Sequence, residues 1–155
     1  DVLTGSLNRR GFMEKAVQMN RENAGKEIVV LFADLDHLKE INDSFGHIEG
    51  DFAIRRCAEV LKSAVGDSGV TGRIGGDEFC AMFPGNAGDG QRIREQVRRE
   101  SDEFNSDSDK PYYVELSIGY HVIRCGSDLV ISDVLKDADE ALYEEKKKRR
   151  KSVKK

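Results

Sequence analysis

Six consecutive apolar residues, Ile28-Val29-Val30-Leu31-Phe32-Ala33, end abruptly at Asp34. The run has no polar alternation and is rich in β-branched residues, so it predicts a strand buried on both faces. Such a strand needs a layer of structure on each side. It also ends in carboxylates, Asp34 and Asp36, at the point where side chains leave the core and are able to converge on a ligand.

The flanking sequence supplies the layers. A helix is predicted to open at Asn8, whose side chain accepts an orphan backbone N–H, and to carry Phe12, Ala16, Val17 and Met19 before Gly25. Helical spacing recurs over Leu38–Phe45 and over Asp51–Val65, where Phe52, Ile54, Ala58 and Leu61 form the stripe, with Gly46 and Gly50 separating the two. Val70–Ile74 and Glu78–Phe83 read as strands around Gly75-Gly76, a hairpin with acids at its tip. A polar loop over Gly85–Gly90 leads to a charged helix with Ile93, Val97 and Phe104. A strand over Val114–Ile123 and a helix from Asp133 complete the order. This sequence of elements predicts an α/β (α+β) sandwich with antiparallel pairing and helices packed on the sheet.

With 155 residues, 38% of them hydrophobic, the chain is expected to form one domain over 1–155 with a basic tail at about 147–155. It begins at Asp1 without methionine, as a domain excised from a longer multidomain signalling protein would. The 25 basic and 29 acidic residues leave a net charge of only -4, so bulk charge gives no reason to expect nucleic acid or an anionic membrane as a partner. No apolar run reaches the about 20 residues of a bilayer span. Cys57, Cys80 and Cys125 are odd in number and widely spaced, which predicts reduced core thiols and a cytoplasmic location.

Asp34 and Asp36 alone are equally well explained as turn or capping residues. Asp77 and Glu78 change that balance, because a hairpin paired beside the first strand would bring four carboxylates together, and their repulsion calls for cations. A site of oxygen ligands without His or Cys suits Mg²⁺ or Mn²⁺ and, through them, phosphates. The Gly-x-x-x-x-Gly-Lys-Ser/Thr phosphate loop is absent. Lys146 and Arg150, four residues apart, share one helical face and could grip a phosphate chain, although solvated surface charge is the blander reading.

The chain resembles the GGDEF family along nearly its whole length. The resemblance rests on Asp1, Leu3, Thr4, Gly5, Asn8, Arg9, Arg10 and Phe12, then Phe32-Ala33-Asp34-Leu35-Asp36, Lys39, Asn42, Asp43, Gly46, His47, Gly50 and Asp51. It continues through Arg73-Ile74-Gly75-Gly76-Asp77-Glu78-Phe79, Leu116-Ser117-Ile118-Gly119, Ala138-Asp139, Ala141-Leu142-Tyr143 and Lys146. It implies a central, mostly antiparallel sheet of about five strands wrapped by helices, similar to nucleotidyl cyclase and polymerase palm domains. It also implies a diguanylate cyclase that condenses two GTP into cyclic di-GMP, with a second copy of the domain supplying half the active site.

On that resemblance Asp34, the Leu35 backbone carbonyl and Asp77 are the metal ligands, and Glu78 lies near the reacting hydroxyl. Asn42 and Asp51 read guanine, Asp51 accepting from the N1–H and the 2-amine that adenine lacks. Lys39, Lys146 and Arg150 hold phosphates, while Gly75 and Gly76 let backbone approach the nucleotide. His47, Cys57, Tyr143, Ser117 and Gly119 match family positions but are read as packing or hydrogen-bonding residues. The family's inhibitory product site, an Arg-x-x-Asp five residues before the signature, is replaced by Gly66-Asp67-Ser68-Gly69, so no such site is expected. His37 and Leu38 replace an aromatic-rich pair, and Arg149 replaces a frequent glycine. Relatives that join GTP to ATP commonly carry serine where this chain has Asp51. The alternative reading is a regulatory module that binds GTP without turnover.

Overall fold

The computed structural model describes the backbone of residues 1–153 and the side chains of residues 1–148. The elements are α1 (Arg9–Glu22), β1 (Glu27–Leu35), α2 (Leu38–Phe45), α3 (His47–Val65), β2 (Val70–Arg73), β3 (Glu78–Pro84), α4 (Ala87–Asp107), β4 (Leu116–Arg124) and α5 (Ile131–Val153). Asn8 caps α1 as expected, accepting from the Gly11 N–H at 2.8 Å.

The strands form one antiparallel sheet in the order β2-β3-β1-β4. β1 is hydrogen-bonded on both edges and covered on both faces, which is why its sequence shows no polar alternation. Odd-numbered Val29, Leu31, Ala33 and Leu35 pack with Ile54, Cys57 and Leu61 of α3 and Ile93 and Val97 of α4. Even-numbered Ile28, Val30 and Phe32 pack with Phe12 and Ala16 of α1 and Ile131, Val134, Ala138 and Leu142 of α5. The period of two therefore separates two cores that share one strand.

Several expectations are corrected. The described sheet has four strands where about five were expected: Leu7 makes only an isolated bridge to Gly72, and residues 108–115 cross the α3–α4 face without joining the sheet. α3 begins at His47 rather than after Gly50, and Gly50 lies buried inside it. The expected loop over Gly85–Gly90 is mostly helix. Asn86 accepts from the Asp89 N–H, and the Asp89 carboxylate accepts from the Asn86 N–H, a capping box that starts α4 at Ala87. β4 starts at Leu116 and α5 at Ile131.

Two glycines set how closely helices approach the sheet. A Cβ on Gly119 would stand 2.0 Å from the Leu142 backbone nitrogen of α5, and one on Gly72 would stand 2.8 Å from Phe12 Cβ of α1. The three cysteines are free and buried, and burial raises the thiol pKa of each. They fit as core side chains and not as nucleophiles.

Candidate nucleotide and metal site

The end of β1 is where the two cores open. Asp34 is opposite Glu78 of β3 and opposite Ser117 of β4. The ladder continues one step further, with the Leu35 N–H donating to the Asp77 carbonyl at 2.9 Å. This bond fixes the tip of the signature hairpin against the strand end and brings Asp77 beside Asp34. Burial pushes the Asp34 carboxyl up to about 6 from 3.8; Lys146 opposes that rise and the Asp77 carboxylate adds to it.

Lys146 reaches from α5 to form an ion pair with Asp34, and its Nζ lies 4.0 Å from Asp36 Oδ1. It meets only one Asp34 oxygen. Asp34 Oδ1 is buried without a hydrogen-bond donor, an arrangement that ordinarily carries a penalty of about 1–3 kcal/mol or more for a charged group. A buried acceptor beside a second carboxylate fits a hard divalent cation, which takes one or two carboxylates and completes its shell with water and phosphate oxygens.

The expected meeting of four carboxylates is corrected to a pair. Among the described residues, no three His, Cys, Asp or Glu side chains form a metal-holding group. Asp36 lies past the strand end, where its N–H donates to the Glu115 carbonyl at 2.9 Å and its carboxylate accepts from Ser117 Oγ at 2.8 Å and 2.9 Å. Glu78 is exposed. Its Oε2 stands 3.2 Å from where a Gly75 Cβ would be, while a Cβ on Gly76 would meet nothing within 4 Å.

Asn42 and Asp51 come together at the corner between α2 and α3. Gly46 alone connects the helices, with φ of 93°, a conformation open to glycine. A Cβ built on Gly50 would fall 1.8 Å from Asn42 Oδ1, so the Asn42 amide lies directly on the α3 backbone one residue before Asp51. Both side chains are half-buried. Lys39 is exposed on α2, and the Arg150 side chain lies outside the described residues.

Sequence reading missed two supports. Arg73 donates to the Gly76 carbonyl at 3.0 Å and 3.2 Å and reaches the Asp1 carboxylate at 3.3 Å, bracing the signature turn from behind. Arg94 of α4 pairs with Glu145 of α5 at 3.2 Å while lying over the Tyr120 ring, which anchors the helix turn that carries Lys146. Spacing within the sequence carries no signal for the Arg73–Asp1 and Arg94–Glu145 pairs, which are 72 and 51 residues apart. His37 has the left-handed φ of 61°, uncommon for a side-chain-bearing residue, at the start of α2. Tyr143, read as a packing residue, is exposed, with Lys147 over its ring.

The chain matches a known family: the model described as "Diguanylate cyclase, GGDEF domain" aligns with residues 1–152. The chain belongs to the GGDEF domain family. It is 32% identical over 157 residues to the diguanylate cyclase DgcP of Escherichia coli, covering 98% of this chain and 46% of that protein. It is 47% identical over 85 residues to the cyclic di-GMP phosphodiesterase NbdA of Pseudomonas aeruginosa, covering 53% of this chain and 11% of that protein. The chain thus spans less than half the length of these curated relatives. The crystal structure of the coiled coil and GGDEF domain of DgcB from Caulobacter crescentus, in complex with c-di-GMP, superimposes with a TM-score of 0.84 at 28% identity, covering 95% of this chain and 80% of that one. Among the described residues no helix is long and apolar enough to cross a membrane.

Proposed function

We propose that this chain is a diguanylate cyclase that joins two GTP molecules into cyclic di-GMP and releases two pyrophosphates, at an interface between two copies of the domain. The observation that carries the reading is the half-buried Asp34 carboxylate, placed beside Asp77 by the Leu35–Asp77 backbone bond, with its buried Oδ1 lacking a donor. Asp34, Asp77 and the Leu35 carbonyl would hold Mg²⁺ or Mn²⁺, which when bound neutralises triphosphate charge and favours ionisation of a 3′ hydroxyl.

The protein's own groups bind and orient. Asn42 and Asp51 fix the guanine edge, and the carboxylate at Asp51 favours GTP over ATP. Lys39, Lys146 and Arg150 hold β- and γ-phosphates, Gly75 and Gly76 admit the nucleotide to the hairpin backbone, and Glu78 stands near the attacking hydroxyl. Each 3′ oxygen bonds to the α-phosphorus of the other GTP, the bond from that phosphorus to the pyrophosphate oxygen breaks, and the hydroxyl proton is lost. One copy orients one GTP, so ring closure requires two copies.

The test is to incubate concentrated chain with GTP and Mg²⁺ or Mn²⁺ and to separate the nucleotides, with Asp77→Ala as the control. Cyclic di-GMP from the wild type alone is expected. A second reading is a regulatory module that binds GTP without turnover. Bound GTP with no product at any protein concentration, even with the domain fused to a dimerising coiled coil, would establish that second reading. Failure to bind GTP would overturn both.

A further inference from the structure

The corner between α2 and α3 is weakly built by its own sequence. One glycine joins the helices, and the Gly46 position offers α3 no side-chain cap. Yet this corner sets the distance and angle between Asn42 on one arm and Asp51 on the other. What braces it comes from 61 and 63 residues away, in the segment that leaves α4 and enters β4.

Tyr112 touches both arms. Its ring lies 5.4 Å from that of Phe45, the last residue of α2, and its hydroxyl donates to Glu49 Oε1 of α3 at 2.8 Å. Lys110 adds a second hold on the same carboxylate, with Nζ 2.7 Å from Glu49 Oε1, and lies over the Phe52 ring at 4.5 Å. Lys110 and, after it, Tyr112 hold the Glu49 carboxyl below the usual carboxylate range. The contacts therefore bracket the Gly50–Asp51 backbone, Glu49 on one side and Phe52 on the other. Further along, the Glu115 carbonyl and Ser117 hydroxyl hold Asp36 just past the end of β1. One stretch of chain is thus bound both at the α2–α3 corner and at the residue that follows the proposed metal ligands in β1.

We infer that residues 110–117 form a strap that sets the geometry of the guanine-reading corner, with Lys110 and Tyr112 as positioning residues for Asn42 and Asp51. The inference rests on the proposed guanine pocket and adds the element that tunes its selectivity. Lys110 and Tyr112 act through Glu49, Phe45 and Phe52. Their effect is to keep the Asp51 carboxylate where it accepts from both guanine donors at once.

The measurement is equilibrium titration of the chain with GTP and with ITP, which lacks the 2-amine, for wild type, Tyr112→Phe, Lys110→Met and Lys110→Arg. Hydrogen bonds to a charged group are worth about 1.5–3 kcal/mol, so the wild type is expected to prefer GTP by about tenfold or more. Tyr112→Phe keeps the ring contact with Phe45 and loses the hydroxyl bond; it and Lys110→Met are expected to lower that preference about threefold to tenfold, mostly by weakening GTP. Lys110→Arg retains the ion pair and the preference. A purely structural tie would lower the melting temperature and leave the GTP-to-ITP ratio alone, and an unchanged ratio in both Tyr112→Phe and Lys110→Met overturns the strap while leaving the pocket standing. Wild type that does not distinguish GTP from ITP overturns the pocket, and the strap with it.

Discussion

Lys146 and Asp34 lie 112 residues apart in the sequence and form an ion pair at the end of the central strand. The pair joins the last helix to the first strand, and it sets one positive charge against the acids that the fold brings together. Its worth depends on whether Asp34 is ionised.

The sign follows from the direction of the shift. Asp34 titrates at about 6 in the folded chain against 3.8 ordinarily, with burial as the chief cause. Between those values the folded chain holds a proton that the unfolded chain has released, so Asp34's contribution to stability falls as pH rises through that window and stays low above it. Lys146→Met removes the cation that offsets this. It is expected to lower stability by about 1 kcal/mol, or about 2–4 °C in Tm, at pH 8, and by much less at pH 5. Thermal melts of both proteins at the two pH values check this; an equal loss at both contradicts it.

Asp77 adds to the rise in Asp34, so the two carboxylates repel. Asp77→Asn relieves that repulsion with little change of shape. Tm at pH 8 is expected to hold or rise while cyclic di-GMP formation falls by about a hundredfold or more. A variant that loses Tm and activity together would make Asp77 a structural residue.

Gly50→Ala separates packing from recognition in the opposite way. The new methyl would displace the Asn42 amide, the far end of a flexible side chain, and a helical Ala in place of Gly offsets the disturbance by about 1 kcal/mol. Tm is expected to change little and GTP affinity to fall at least about tenfold, about 1.4 kcal/mol. Calorimetric titration beside a melt reads both, and unchanged GTP binding would remove Asn42 from the pocket.

Gly119→Ala meets backbone instead of a side-chain tip, 2.0 Å from the Leu142 nitrogen. α5 must move off the sheet, with an expected loss of about 1–3 kcal/mol in denaturant unfolding. A stability equal to wild type would show that α5 is not held at this distance.

Much of this was legible from the sequence where the signal is local. The run ending at Asp34 announced a strand with two covered faces, the hairpin around Gly75-Gly76 stands where its punctuation put it, and Asn8 caps the first helix. The glycines misled where they were read as breaks. Gly50 is inside α3 because the Asn42 side chain needs its bare backbone, and Gly88 and Gly90 are inside α4 because the Asn86–Asp89 capping box outweighs their low helix propensity. At the site, residue types and spacing picked out Asp34 and Asp77, and the family resemblance picked out Asn42 and Asp51. No local pattern could show that Asp36 turns to Ser117 or that Lys146 comes to rest on Asp34, because those partners are chosen by strand register and helix docking.

Arg73 gives the hairpin a property that its own turn lacks. Its guanidinium holds the carbonyl of Gly76 and the carboxylate of Asp1 together. The turn that presents Asp77 is therefore not free to relax by itself: its shape is shared with the first residue of the chain, and a displacement of that residue must either drag the turn or break the guanidinium's grip. Asp1 and the tip of the signature hairpin are mechanically in series.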